Sequence, residues 1–319
     1  MKVLKLTLNK FNFRLLLCFF ASLLLCFSVS LLLCFSRQGR GSLASLRERS
    51  GPKAAASPFE TVIKPEVASL GDTVSVKIRK LPEEKNPPKI FFEKTKVPVF
   101  SLSENWYRTL LPISADYQPG IYPIEIFYKG HGEKIDLTIK DTKYPLQDLT
   151  LPKKVSELKA SKIEKNLVAR ALNTYSTEKL WSGKFIFPSS GSLSTAYGVK
   201  RRVNGIINPG YFHKGLDFAA ASGSSIKAPE NGKVVLAGLV SKGFVVNGNC
   251  IFIDHGHGVI SGYLHLSSVL VKEGDFVKKG QLIGKVGSTG IASGPHLHWG
   301  IYVLGRTVEP MVWTKTLIE

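Results

Sequence analysis

Read as a pattern of apolar and polar positions, the chain changes character four times. Leu15 to Phe35 is a 21-residue run without a charge, preceded by Lys2, Lys5, Lys10 and Arg14 and followed by Arg37 and Arg40. About 20 apolar residues span a bilayer, whereas the apolar part of a cleavable signal is only about 7–15 residues long. The run therefore predicts a signal-anchor or signal peptide over residues 1–36. Its basic flank stays in the cytoplasm and the rest of the chain lies outside. Ser42-Leu43-Ala44 keeps a cleaved signal open. Residues 37–57, rich in Gly, Ser, Ala and Arg, read as a linker.

Over residues 58–143 the period becomes two. Thr73-Val74-Ser75-Val76-Lys77-Ile78 alternates, as does Tyr122 to Tyr128, and Leu70-Gly71-Asp72, Asn86-Pro87-Pro88 and Gln118-Pro119-Gly120 punctuate the runs. Short strands at this spacing predict a small β-sandwich of immunoglobulin-like type with nothing catalytic in it. His131 falls beside two glycines and reads as a turn residue. Between residues 144 and 184 the pattern shifts again. Leu158, Ile163, Leu167 and Leu172 among Lys and Glu fit a helical linker. Residues 185–319 return to a Gly-rich β pattern, which predicts a mainly-β chain ending in an antiparallel β domain.

That last segment holds six of the seven histidines. In His213-Lys214-Gly215-Leu216-Asp217, a straight strand would put the two polar groups about 13 Å apart, too far to share an ion. A loop at His213 folding back beside a strand that starts near Leu216, with Gly215 allowing the bend, would bring them together. In Gly294-Pro295-His296-Leu297-His298, both imidazoles fall on one strand face about 6.6 Å apart, with Leu297 and Trp299 turned to the core. In Tyr263-Leu264-His265-Leu266, the same alternation puts Tyr263 and His265 on one face. Clustered His with a carboxylate is the usual donor set of a metal site.

Together these patterns resemble the lysostaphin- and LytM-type zinc metallopeptidases. So do Tyr197-Gly198-Val199-Lys200-Arg201, Asp254-His255-Gly256-His257-Gly258, Val271 to Gln281, Gly284 to Gly290 and the closing Val308-Glu309-Pro310. The resemblance covers about residues 185–313 and implies a duplicated hybrid β motif. It implies that His213, Asp217 and His298 bind one Zn²⁺, with a coordination position left for water. It maps the two further catalytic histidines to His265 and His296. His296 is assigned as the general base and His265 as the oxyanion stabiliser, the reverse division being left open. Tyr263 is a candidate substrate contact, and His255 and His257 read as structural. The implied substrate is the peptide cross-link of bacterial peptidoglycan. Some relatives lack zinc ligands and activate a separate cell-wall amidase instead; no ligand is missing here. Trp299-Gly300 follows His298 where many members carry an aromatic residue and Glu.

Composition trims the alternatives. Three of the four cysteines lie in the N-terminal apolar run, leaving Cys250, so a disulfide framework or a Cys-based zinc site is excluded. With 43 Lys plus Arg against 24 Asp plus Glu, the formal charge is +19, which suits anionic envelope polymers. An exported chain without a basic recognition helix argues against nucleic acid. The Gly274 to Gln281 run also resembles biotinyl and lipoyl carriers, but the hairpin Met flanking a carrier lysine is missing. The expected place is the cell envelope, on the periplasmic face of the cytoplasmic membrane, anchored there or secreted.

Overall fold

A computed structural model describes residues 57–319 except residue 83. The apolar run at 15–35 and the linker at 37–57, apart from residue 57, lie outside the described residues. Among the described residues no helix is long and apolar enough to cross a membrane.

Two sheets enclose the first core. The strands Thr61–Lys64, Thr73–Arg79, Trp106–Pro112 and Phe100–Ser101 form one sheet. Val67–Ser69, His131–Lys140, Gly120–Tyr128, Lys89–Phe92 and Thr95–Val97 form the other. Val74, Val76 and Ile78 point inward onto Ile90, Ile124, Ile126, Leu137 and Ile139, and all are buried. His131 pairs with Tyr128 across a two-residue turn in which Lys129 and Gly130 both have positive φ (49° and 77°), the hairpin geometry that matches strand twist.

The alternate positions Thr73 and Ser75, and Arg108 on the neighbouring strand, are polar, a pattern that ordinarily marks a solvated face. They are instead buried beneath the C-terminal domain. Trp313 donates its indole N–H to Thr73 (3.2 Å), Ser75 donates to the Glu319 carbonyl, and Leu110 belongs to the C-terminal core. Arg108 is 0% exposed, lies 4.9 Å from the Trp181 ring and donates to His257 Nδ1 at 2.7 Å.

The segment expected to be a helical linker is helical only at Lys153–Ser156 and Lys162–Leu172. Before them Leu146–Leu149, bracketed by Pro145 and Pro152, pairs in parallel with Lys200–Val203 and so adds a strand to the C-terminal domain. The 162–172 helix is capped by Ser161 and lays Leu167, Val168, Ala171 and Leu172 on that domain.

The C-terminal domain is antiparallel throughout its own strands. Its large sheet runs Ser192–Thr195, Leu216–Ala219, His296–Val303, Val259–Leu266, Asn249–Asp254, Gly232–Gly238 and Phe276–Val277. A smaller sheet of Ser225–Lys227, Leu282–Lys285 and Ser268–Val269 faces it. Ile226, Ile283, Ile251, Ile253, Leu297, Trp299 and Ile301 fill the space between them. The outer face of the large sheet carries Phe252, Ile260 and Tyr302 under the 162–172 helix, and His298 and Asp217 beyond it. The candidate site thus sits on the outer face of a sheet whose inner face is closed core.

Candidate metal and catalytic site

The three donors expected from sequence meet. Asp217 and His298 are direct cross-strand partners, so their side chains leave the sheet together. His213 lies in the loop before Leu216 and folds back over them. His213 Nε2 is 2.9 Å from Asp217 Oδ1, His298 Nδ1 is 2.8 Å from the same oxygen, and the two nitrogens are 3.0 Å apart. His213 Nδ1–H donates to the Ala196 carbonyl at 2.8 Å, which leaves Nε2 with a free lone pair. Arg201, in the strand Lys200–Val203, donates to the other Asp217 oxygen at 3.1 Å. All three donors are buried. Burial alone would raise the Asp217 pKa, but the His213 and His298 imidazoles facing it hold its carboxyl well below the usual carboxylate range. Burial pushes His298 down. Two aprotic imidazole nitrogens and one ionised carboxylate oxygen, converging from three backbone positions, fit a divalent zinc with an open position.

Gly215 matters here for room rather than for bending. A Cβ on it would stand 2.4 Å from the Trp299 carbonyl oxygen and 2.9 Å from His298 Nε2. Gly215→Ala is expected to cost about 1–3 kcal/mol by overpacking and to loosen the metal site with it. Urea melts and zinc content would check this; unchanged values in both would refute the steric account.

His265 reaches the cleft by a register change. Between Asn249 and Ile251 the partner strand advances two residues, while its own strand advances three, from Leu266 to Tyr263. The extra residue is a β-bulge, and His265 there has φ +67°. Its backbone N–H donates to the Asn247 carbonyl (3.0 Å) and its Nδ1–H to the Thr289 carbonyl (2.9 Å). The ring therefore stands 4.9 Å from the His296 ring and 6.1 Å from that of His298. Burial and the neighbouring imidazoles push its pKa down to about 3. His296 is less buried; its Nδ1–H donates to the Gly294 carbonyl (2.9 Å), and its Nε2 lies 3.9 Å from Asp217 Oδ1.

The alternation that put Tyr263 and His265 on one face fails because of this bulge. Tyr263 is 0% exposed in the core, with its hydroxyl 2.8 Å from Ser261 Oγ, and does not line the cleft. His255 and His257 are buried, bonded to Asn231, Ser261, Thr177 and Arg108 away from the donors. Cys250 is a buried free thiol pushed up to about 12 by burial. Sequence reading assigned no role to Arg201, Asn247 or Thr289; Arg201 and Thr289 had a signal, their places in the Tyr197 to Arg201 and Gly284 to Gly290 motifs, and Asn247 had none.

The site opens into a cleft of about 1090 Å³, lined among others by Arg201, Tyr211, Asn247, Leu264 and Ile291. That is room for several residues of an extended chain rather than for one small ligand. Residues 211–310 match peptidase family M23, and the matched stretch contains every donor above. Residues 211–310 are a peptidase family M23 domain. M23 peptidases are zinc-dependent, in keeping with the His-Asp-His donor set. An uncharacterized metalloprotease of Haemophilus influenzae is 39% identical over 121 residues, 37% of this chain and 24% of its own. The peptidoglycan DD-endopeptidase ShyB of Vibrio cholerae is 34% identical over 148 residues, 46% of this chain and 31% of its own. The chain thus spans less than a third of these relatives' length. The crystal structure of an M23 peptidase from Pseudomonas aeruginosa covers 79% of this chain and 95% of its own, with 28% identity and a TM-score of 0.56. That likeness extends well beyond the M23 domain, into the preceding segments.

Proposed function

We propose that the chain is a zinc-dependent endopeptidase hydrolysing peptide cross-links of bacterial peptidoglycan in the cell envelope. The observation that carries this is the convergence of His213, Asp217 and His298 on the floor of a cleft, with His265 and His296 beside them. The names of relatives such as ShyB support the substrate class. A complete donor set favours an enzyme over an amidase activator, whose role requires no ligands. Residues 1–36, as anchor or signal, would deliver the domain across the membrane, and the two-sheet module reads as immunoglobulin-like. The net charge of +19 would hold the chain on anionic wall polymers.

His213, Asp217 and His298 would hold one Zn²⁺ per chain. Bound there, zinc lowers the pKa of a water toward about 7 and polarises a carbonyl. Arg201 holds the second Asp217 oxygen and so orients the carboxylate. His296, open to the cleft and fixed through Nδ1, presents Nε2 to accept the proton of the attacking water. His265, committed through Nδ1–H to Thr289, also presents a lone pair at Nε2. A neutral ring held this way accepts a hydrogen bond and cannot donate one to an oxyanion. We therefore assign His265 to orienting the water, a revision of the stabilising role expected from sequence.

The direct test is mass spectrometry of fragments released from purified peptidoglycan by the full chain, beside a His265→Ala control. New peptide ends that vanish in the control establish the endopeptidase and name its bond. Intact peptidoglycan in both, with amidase activity stimulated in a mixture, would instead establish the activator role.

A further inference from the structure

We propose that Glu164, on the linker helix, is a positioning residue of the active site: it fixes the loop 245–247 and, through it, the turn that presents His265. This rests on the catalytic reading of His265 given above.

Glu164 is 1% exposed, and the partners of its carboxylate are backbone N–H groups. Val245 donates to Oε2 at 2.8 Å, Asn247 to Oε1 at 2.7 Å, and Val246 to both, at 3.1 and 3.2 Å. Three consecutive amides converging on one carboxylate is an anion nest built by the loop for this side chain. The same helical turn grips the loop a second time. Ser161 Oγ accepts from the Glu164 N–H at 3.0 Å and donates to the Gly243 carbonyl at 2.7 Å.

The held loop is the one that holds His265. Asn247 receives Glu164 on its N–H side and gives its carbonyl to the His265 N–H. Val246 gives its carbonyl to Ile291, two residues after Thr289, and Asn249, the first strand residue after the loop, donates its N–H to Thr289 Oγ1, so the loop and its continuation brace Thr289, whose carbonyl takes the His265 ring. Both anchors of His265 thus trace to one carboxylate outside the M23 match. His265 needs them, because φ +67° is a strained conformation for a residue with a Cβ. Val168 and Leu172 of the same helix line the cleft with Val246, Asn247 and Leu264.

The sequence hides this role. Ser161-Lys162-Ile163-Glu164 reads as a capping box, in which the glutamate folds back on its own helix terminus. Here both carboxylate oxygens go to the loop.

The test uses the full chain with Glu164→Ala, Glu164→Gln and, as a matched control, Lys165→Gly, which weakens the same helix at an exposed position by about 1 kcal/mol. Hydrogen exchange is read on peptides spanning 245–248 and 263–267, beside zinc content and kcat and KM on a soluble cross-linked muropeptide. In Glu164→Ala, exchange at both peptides should quicken at least about tenfold. Zinc should stay near one per chain and kcat fall at least about tenfold, with KM within about twofold. Glu164→Gln, which keeps one acceptor oxygen and turns the other into an NH2 donor facing the loop amides, should fall between. Lys165→Gly should keep wild-type kcat and exchange. The proposal is overturned if Glu164→Ala leaves both peptides as protected as before, loses zinc, or matches Lys165→Gly in every readout. Should the wild type cleave nothing, the catalytic reading fails, and the exchange data still decide whether Glu164 holds the loop.

Discussion

His298→Ala loses zinc and peptidase activity together, whereas His265→Ala keeps about one zinc per chain and loses turnover by roughly 10²–10⁴. His298 is the cross-strand partner of Asp217 and closes the donor set; without it two donors remain, and affinity should fall more than about 100-fold, beyond the loss of an outer partner. His265 does not contact Asp217 or His213 by hydrogen bond, and its anchors are the carbonyls of Asn247 and Thr289. Because an alanine at φ +67° would be strained, His265→Gly serves as a second variant with the same expected phenotype. Zinc by metal analysis and turnover on peptidoglycan check both arms. Retained zinc in His298→Ala would sink the ligand assignment, and full activity in His265→Ala would sink its catalytic role.

Acid should destabilise the fold through histidines that lie outside the metal site. His255 and His257 are 0% and 1% exposed. Burial pushes each down to about 4, and for His257 the adjacent Arg108 guanidinium adds to it. In the unfolded chain both titrate near 6.5. A folded-state pKa below the unfolded value means that the unfolded chain takes up protons first. Stability is therefore complete above about pH 6.5 and is lost as pH falls toward 4, by as much as roughly 3 kcal/mol per histidine. Urea midpoints measured from pH 7.5 to 4 should drop accordingly, and His257→Gln should flatten the slope. A midpoint constant across that range would show that these imidazoles are not held neutral.

Much of the site was legible because strand alternation is strict where both faces are decided. Along His296–Val303, Leu297, Trp299 and Ile301 go to the core while His296 and His298 go out, as the pattern required. The loop-then-strand reading of His213 to Asp217 held for the same reason: two polar groups four apart could meet only if the chain bent between them. The face of Tyr263 and His265 was misread because a bulge is defined by a partner strand, Asn249–Asp254, that the local pattern cannot see. That Thr73, Ser75 and Arg108 are covered is not legible locally, because their cover arrives from Trp181, Trp313 and Glu319, more than 70 residues later. Leu146–Leu149 is too short to announce itself as a strand, and it forms by completing an edge offered by Lys200–Val203.

The bulge at His265 has an evolutionary corollary. Removing one residue between Tyr263 and Leu266 would restore even spacing against Asn249–Asp254 and erase a left-handed kink, giving a tidier sheet. It would also withdraw an imidazole from the cleft. Along this strand selection for robustness and selection for turnover pull in opposite directions, and a lineage freed from catalysis has a one-codon route to a sturdier, silent scaffold.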